Sequence, residues 1–241
     1  MSETTHSNDA VWRDNEMVAS WVARSDERER GRLSARQMMA DLLPFSVGES
    51  FTFVDLGAGT GAASRAVLDR YPRARAVLAD YSPQMMEEGR RELEAYEGRF
   101  SYVEIDLEQG RWPAELEAGL QAVISSLCVH HLTDRRKEGL FGEIFERLAP
   151  GAWYLNYDPV KAEDPEVEQA WAAAHDRRDP QAAERRAHRS EEEQARYENH
   201  VRHIIPLSPQ LGFLRAAGFE AVDAYWKELD HVIMGGRRPA L

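Results

Sequence analysis

Three glycines at alternate positions follow an acidic residue in the stretch VDLGAGTG, residues 54–61. Glycine lets the backbone adopt positive φ angles and approach a ligand closely. A helix that follows such a turn offers free N–H groups and the positive end of its dipole to a carboxylate or a phosphate. The pattern therefore predicts a binding loop for a nucleotide-like ligand, formed by Asp55, Gly57, Gly59 and Gly61.

Alternating strands and helices are expected to hold this loop. Apolar runs predict four strands, at 51–56, 75–80, 100–106 and 120–127, and the stretch 149–160 predicts a turn and a fifth strand. Helical patterns separate these strands, and two more strands are predicted after residue 219. This alternation implies an α/β fold with a parallel sheet and helices on both faces. Ligands bind such sheets beyond the carboxyl ends of the strands, which is where the glycine turn lies.

Polar residues also follow the neighbouring strands. Asp80 ends the second strand, where a carboxylate can accept hydrogen bonds from both hydroxyls of a ribose. Asp106 ends the third predicted strand and could accept from an adenine amino group, and the backbone near Ser126 could meet an ammonium. S-adenosylmethionine (SAM) carries a carboxylate, an ammonium, a ribose and an adenine. NAD would need room for a pyrophosphate, and its binding turn usually has the spacing G-x-G-x-x-G.

Six stretches in this order make the sequence similar to the class I SAM-dependent methyltransferases, in particular to small bacterial enzymes that act on small molecules. The stretches are VDLGAGTG, VLADYSPQMM, YVEIDLE, VISSLCVHHL, LAPGAW and LRAAGF. The resemblance runs from about residue 51 to 236. It implies a Rossmann-like, seven-stranded sheet that is mostly parallel with an antiparallel last strand, and it implies SAM as the cofactor.

The resemblance also assigns parts of SAM to positions in this sequence. Asp55 and the three glycines would surround the methionine part, and Asp80 would bind the ribose. The residues it places around the adenine are Tyr81, Met85, Asp106 and Leu107.

Three residues near the expected methyl group are candidates for catalysis. SAM itself supplies the reactivity, so the protein must align the acceptor and remove its proton if needed. His130 and His131 follow the fourth strand, and a neutral imidazole there could act as a general base. The same pair could instead have a structural role and hold loop backbone. Asp158 could orient a histidine, bind the acceptor, or simply begin the turn at Pro159.

One domain is expected over residues 1–241. Residues 1–45 would form N-terminal helices that cover the cofactor, and residues 161–203 would form a helical cap insertion made of two helices. Trp12, on the first helix, could close over the SAM sulfonium through a cation–π contact or could pack in the core.

The cap contains few other candidates for chemistry. His200 and His203 would share a face of one predicted helix, but no cysteine or clear further ligand accompanies them, so no metal site is expected. The charged run at 185–192 indicates a solvated face with salt bridges. A clamp for an anionic substrate, made by cap arginines, is the alternative.

Composition restricts the partners. The net charge of −12 disfavours broad contact with nucleic acid or anionic lipid. The single cysteine, Cys128, excludes an internal disulfide and favours a reducing compartment, so a cytoplasmic protein is expected. No apolar run is long enough for a membrane span, and the N-terminus lacks the pattern of a signal peptide. The sequence leaves a homodimer open.

These observations predict a methyltransferase that transfers a methyl group from SAM to an O, N or C nucleophile of a small-molecule acceptor. A relative that acts on tRNA or uses a modified SAM is an alternative. A non-catalytic SAM-binding module is another, because binding and turnover share the strand-end residues. An NAD-dependent dehydrogenase is disfavoured by the glycine spacing.

Overall fold

A computed structural model describes residues 25–116 and 118–240 of the chain. Its strands are β1 (Thr52–Leu56), β2 (Arg75–Asp80), β3 (Phe100–Glu104), β4 (Leu120–Ser126), β5 (Leu148–Pro159), β6 (Glu220–Glu228) and β7 (His231–Arg237). Its helices are α1 (Ser25–Leu42), α2 (Ala62–Arg70), α3 (Pro83–Glu92), α4 (Asp134–Arg147), α5 (Pro165–Arg178), α6 (Pro180–Ala187), α7 (Glu191–Val201) and α8 (Leu207–Ala217). None of the helices in this part of the chain is long and apolar enough to cross a membrane. Trp12 lies outside the described residues.

The strands form one seven-stranded sheet in the order β3-β2-β1-β4-β5-β7-β6. Neighbouring strands from β3 to β5 are parallel, and β7 is antiparallel to both β5 and β6. The Rossmann-like sheet with an antiparallel last strand is therefore confirmed. In register, Leu56 of β1 lies beside Ala79 of β2 and Ser125 of β4, so the carboxyl ends of these strands meet at one edge.

Helices cover both faces of the sheet, and the side chains of β1 alternate between the two layers. Phe53 packs in the apolar cluster that contains residues of α1 and α2. Val54 and Leu56 pack in the cluster that contains residues of α4 and α8. Successive side chains of a strand point to opposite faces, so Asp55 shares the face of Phe53 and points toward α2.

Two predicted strands end earlier than expected. The third strand was predicted to reach Asp106, but β3 ends at Glu104. Asp106 instead begins a turn in which its carboxylate accepts a hydrogen bond from the Glu108 N–H, at 2.9 Å. The fourth strand was predicted to reach Leu127, but that residue has a φ of 57°, which no extended strand allows.

The segment 161–203 forms three helices rather than the two that were predicted. Pro180 begins α6, because proline fits the first turn of a helix and cannot continue the preceding one. Ser190 and Glu193 form a capping box that begins α7. The segment leaves and rejoins the domain at neighbouring points, since the Lys161 N–H donates to the Ile205 carbonyl at 3.2 Å.

Candidate active site

A cavity opens at the carboxyl edge of the sheet and brings together most of the predicted site residues. It lies beyond the ends of β1, β2, β3 and β4. The predicted residues that line it are Asp55, Gly57, Gly59, Asp80, Tyr81, Met85, Asp106, Leu107, Ser126 and His131. Gly61, His130 and Asp158 are not part of its wall.

Gly57 and Gly61 are required for different reasons. Gly57 has a φ of 67°, and a Cβ at this position would lie 2.0 Å from the Sγ atom of Cys128. Gly61 has a φ of 81°, and its Cβ would lie within 3 Å of the side chains of Leu78 and Leu93. Gly57 therefore lets the turn approach the loop after β4, whereas Gly61 lets α2 begin against the apolar core.

Asp55 is a buried carboxylate that α2 holds in place. One oxygen accepts hydrogen bonds from the Ser64 N–H at 3.1 Å and the Ser64 hydroxyl at 2.7 Å. The other oxygen, Oδ1, is buried and has no hydrogen-bond partner among the described residues. Burial raises the pKa of Asp55 to about 7, although the Ser64 hydrogen bonds and the charge of Arg36 act against this rise. An unsatisfied oxygen in a cavity wall fits a ligand that supplies a cationic donor.

Asp80 joins β2 to the glycine turn. Its Oδ2 accepts from the Gly59 N–H at 2.7 Å, and its Oδ1 accepts from the Ser82 N–H at 2.9 Å. Burial raises the pKa of this carboxyl, and the backbone hydrogen bonds partly offset that effect. Each carboxylate oxygen can accept a second hydrogen bond, so the group can hold the turn and a ligand at the same time.

The end of the cavity beyond β3 combines the polar side chain of Asp106 with apolar side chains. Asp106 is half-buried and accepts from the Gln109 side-chain amide at 2.6 Å. Met85 and Leu107 are buried beside it in the cavity wall. This combination suits a planar heterocycle with polar groups on its rim.

Arg36 is a cavity residue that the sequence analysis did not identify. It lies on α1 and is only 5% exposed, and its Nε donates to the Ser126 hydroxyl at 3.3 Å. Burial lowers its pKa to about 10, although Tyr157 and Asp55 act in the opposite direction. The sequence feature that could have identified Arg36 is its position on the apolar face of a helix, one turn before Ala40. Arg36 adds a positive charge to the wall of the cavity that also contains the glycine turn.

His130 and Asp158 form a buried pair behind the cavity. The His130 Nδ1 atom lies 2.7 Å from Asp158 Oδ1, and the His130 backbone N–H donates to Asp158 Oδ2 at 2.8 Å. Asn156 donates to the same oxygen at 3.2 Å. Asp158 lies within β5 and contacts both the ring and the backbone of His130.

The rings of two more histidines pack against this pair. The ring centroid of His131 lies 4.0 Å from that of His130, and the ring of His200 in α7 lies 5.1 Å from His130 and 5.0 Å from His131. Burial, together with the neighbouring histidines, lowers the pKa of His131 well below its usual range, so its ring is neutral near pH 7. The cap histidine that reaches this region is thus His200, whereas the backbone carbonyl of His203 binds Lys137.

Known proteins share the fold around this cavity. Residues 53–151 match the family model described as a methyltransferase domain. PigF with S-adenosylhomocysteine (SAH) is 16% identical, with a TM-score of 0.67 and coverage of 95% of this chain and 61% of PigF. An O-methyltransferase family protein from Burkholderia thailandensis is 20% identical, with a TM-score of 0.65 and coverage of 95% and 64%. Human N-acetylserotonin methyltransferase in complex with SAM is 14% identical, with a TM-score of 0.67 and coverage of 99% and 61%.

The TM-scores of 0.65 to 0.67 establish a shared fold despite these low identities. This chain spans 61%, 64% and 61% of the lengths of the three proteins, respectively. No curated protein matches it by sequence. Residues 53–151 therefore match a methyltransferase domain, and the chain has the Rossmann-like fold of the methyltransferases that its sequence resembles.

Proposed function

We propose that this protein transfers a methyl group from SAM to an O, N or C nucleophile of a small-molecule acceptor. The observation that carries the proposal is the joining of Asp80 to Gly59 in the wall of the cavity, at 2.7 Å. This contact fixes an acidic residue at the end of β2 beside the glycine turn of a methyltransferase domain. The structures of PigF with SAH and of the human enzyme with SAM support the choice of cofactor.

Each part of SAM can be assigned to a different group of cavity residues. Arg36 would bind the carboxylate of its methionine part, and the unsatisfied oxygen of Asp55 would accept from its ammonium, beside the glycine turn and Ser126. Asp80 would bind the ribose hydroxyls. The residues around the adenine would be Tyr81, Met85, Asp106 and Leu107. Bound SAM supplies an electrophilic methyl group, so the remaining task of the protein is to position the acceptor.

The acceptor would lie between the cavity and the cap. His131, in the turn after β4, lines the cavity, and we propose that it contacts the acceptor. Asp158 acts on this region through His130 and is a positioning residue. We propose that residues 161–203 form a cap over the acceptor. We also propose that residues 1–45, which include Trp12, cover the cofactor.

The remaining partner assignments are also proposals. The single cysteine supports a cytoplasmic location, and the net charge of −12 argues against nucleic acid as the acceptor. A homodimer is compatible with these features.

Calorimetric titration with SAH tests the cofactor assignment. After exchange of any copurified ligand, the wild-type protein should bind SAH and give no heat with NAD. Asp80→Asn should weaken SAH binding by about 10- to 100-fold, because hydrogen bonds to a charged group contribute about 1.5–3 kcal/mol. Asp223→Asn, a change on the exposed surface of β6, is the matched control and should bind like the wild type. Binding of NAD without SAH, or equal affinity in the Asp80 variant, would overturn the assignment.

A further inference from the structure

Three histidines from two separate parts of the chain meet beside the cavity. His130 and His131 lie in the turn after β4, and His200 lies on the cap helix α7. Each offers one ring nitrogen, and these three nitrogens lie within 4.8 Å of one another. We propose that His130, His131 and His200 form a binding site for a divalent transition metal ion, with Zn²⁺ as the reference ion.

The strongest support comes from His130. This side chain is 3% exposed, and its Nδ1 is already bonded to Asp158. Its Nε2 is buried and has no hydrogen-bond partner among the described residues. A buried polar atom normally has a partner, and an imidazole nitrogen without one is a ready metal ligand.

Asp158 supplies the support that metal-binding histidines usually have. A ligating imidazole commonly donates its other N–H to a carboxylate, which fixes the tautomer and makes the free nitrogen a better ligand. The 2.7 Å contact between His130 Nδ1 and Asp158 Oδ1 has this arrangement and leaves Nε2 as the ligand atom. The carboxylate also contributes negative charge next to a bound cation.

Lys137 holds the end of the cap near the cluster. Its buried Nζ donates to the His203 carbonyl and lies 3.4 Å from Asp134 Oδ1. The carbonyl is three residues after His200, so this contact keeps the end of α7 against the turn that carries His130 and His131. The positive charge of Lys137 acts against a metal ion, and its contact with Asp134 reduces that effect.

The geometry suits a small ion with imidazole ligands. In a tetrahedral zinc site with Zn–N distances of 2.0–2.1 Å, the ligand nitrogens are about 3.4 Å apart. The observed separations reach 4.8 Å at most, and the side chain of His200 is exposed, so a change of its rotamer can bring the nitrogens closer. Imidazole ligands favour zinc, copper, nickel and cobalt over magnesium or calcium.

Three protein ligands leave one position of a tetrahedral ion open, as in catalytic zinc sites. His131 lines the cavity, so the open position would lie near the place assigned to the acceptor. If the proposed function holds, an acceptor oxygen or nitrogen could occupy this position and lose its proton more readily. The metal site itself does not depend on that function.

Zinc titration of the full chain, with any histidine tag removed and metal stripped by a chelator, tests the inference. We expect one Zn²⁺ per chain in the wild type. His200→Gln should lower the affinity at least about tenfold, and because His200 is exposed, this variant should retain the wild-type thermal unfolding. His188→Gln, on an exposed part of the same cap, is the matched control and should bind like the wild type.

Two results would overturn the proposal: absence of Zn²⁺ binding by the wild type, or equal affinities for the wild type and His200→Gln. His175→Gln is a second control, because the His175 ring lies 2.7 Å from Asp230 and could bind an ion elsewhere. If this variant alone loses the ion, the site is wrongly placed. A parallel SAH titration separates the two proposals, since SAH binding without zinc binding refutes only the metal site.

Discussion

The carboxyl edge of the sheet and the cap are held in place by different forces. At the edge, buried groups bind one another: both oxygens of Asp80 accept backbone N–H groups, and the Gly57 N–H donates to the Ala79 carbonyl at 2.8 Å. In the cap, none of the described side chains of α5, α6 and α7 is buried. The edge is therefore pre-organised for a constant cofactor, while the cap has the low packing expected of an element that can move or vary.

Polar contacts, rather than buried apolar side chains, hold the cap against the sheet. Arg178 of α5 pairs with Glu228 of β6 at 2.5 Å, and the Lys227 Nζ lies 3.9 Å from the centre of the Trp171 ring. Burial alone would raise the pKa of Asp230, but contacts with His231 and with the cap residue His175 lower it to about 2. Such contacts fix an orientation and contribute little stability.

The largest effect should come from the glycine turn. Gly57→Ala should lower the free energy of unfolding by about 3 kcal/mol or more, because it adds a strained positive φ to a clash with Cys128. It should also abolish SAH binding. Urea unfolding and calorimetry measure the two effects.

A second substitution tests whether the clash with Cys128 causes the loss of stability. Cys128→Gly in the same chain should restore part of the lost stability, since the clashing side chain is then absent. Gly142→Ala is the control, because a Cβ at that helical position would meet nothing within 4 Å, and it should leave the protein as stable or slightly more stable. If the Gly57 variant were as stable as this control, the edge would not be pre-organised by the close contact of Gly57 with Cys128.

The next effect concerns the charge of Asp55, whose surroundings include Arg36, Ser64 and Asp80. Its pKa of about 7 in the folded protein exceeds the unfolded value of 3.8, so the folded state holds the proton more tightly. The contribution of Asp55 to the free energy of unfolding should therefore fall as pH rises from about 4 to about 7 and stay constant above that range.

Asp55→Asn should remove this part of the pH dependence. The difference between wild type and variant should change by up to about 4 kcal/mol across the window. Urea unfolding without ligand, at about pH 4, 5.5 and 8, measures it. Parallel curves for the two proteins would contradict the buried, proton-binding state of this carboxyl.

The smallest effect should come from the cap. Arg178→Ala should change the free energy of unfolding by less than about 1 kcal/mol, because both partners of its ion pair are about half exposed. SAH affinity should stay unchanged. Urea unfolding checks the first expectation and calorimetry the second. A loss above about 2 kcal/mol would mean that the cap is as firmly held as the carboxyl edge of the sheet.

Local patterns predicted the sheet well and the cap less well. The strands were found because apolar runs and glycine or proline breaks are short-range signals, and β2 ends at Asp80 as expected. The third strand was extended too far, since the turn at Asp106 depends on a side-chain hydrogen bond that composition does not reveal. The third cap helix was missed, although Pro180 and the Ser190 capping box were visible in the sequence.

The sequence by itself determined the class of the fold, the glycine turn and the acidic residues at the strand ends. These features depend on neighbours along the chain and on the rule that parallel strands end at one edge. Only the tertiary structure decided that Arg36 enters the cavity, that Asp158 binds His130, and that His200 joins the two histidines after β4. His130 and Asp158 are 28 residues apart in the sequence, and Arg36 and Ser126 are 90 residues apart. No local sequence pattern indicates which helix face or insertion will contact which strand end.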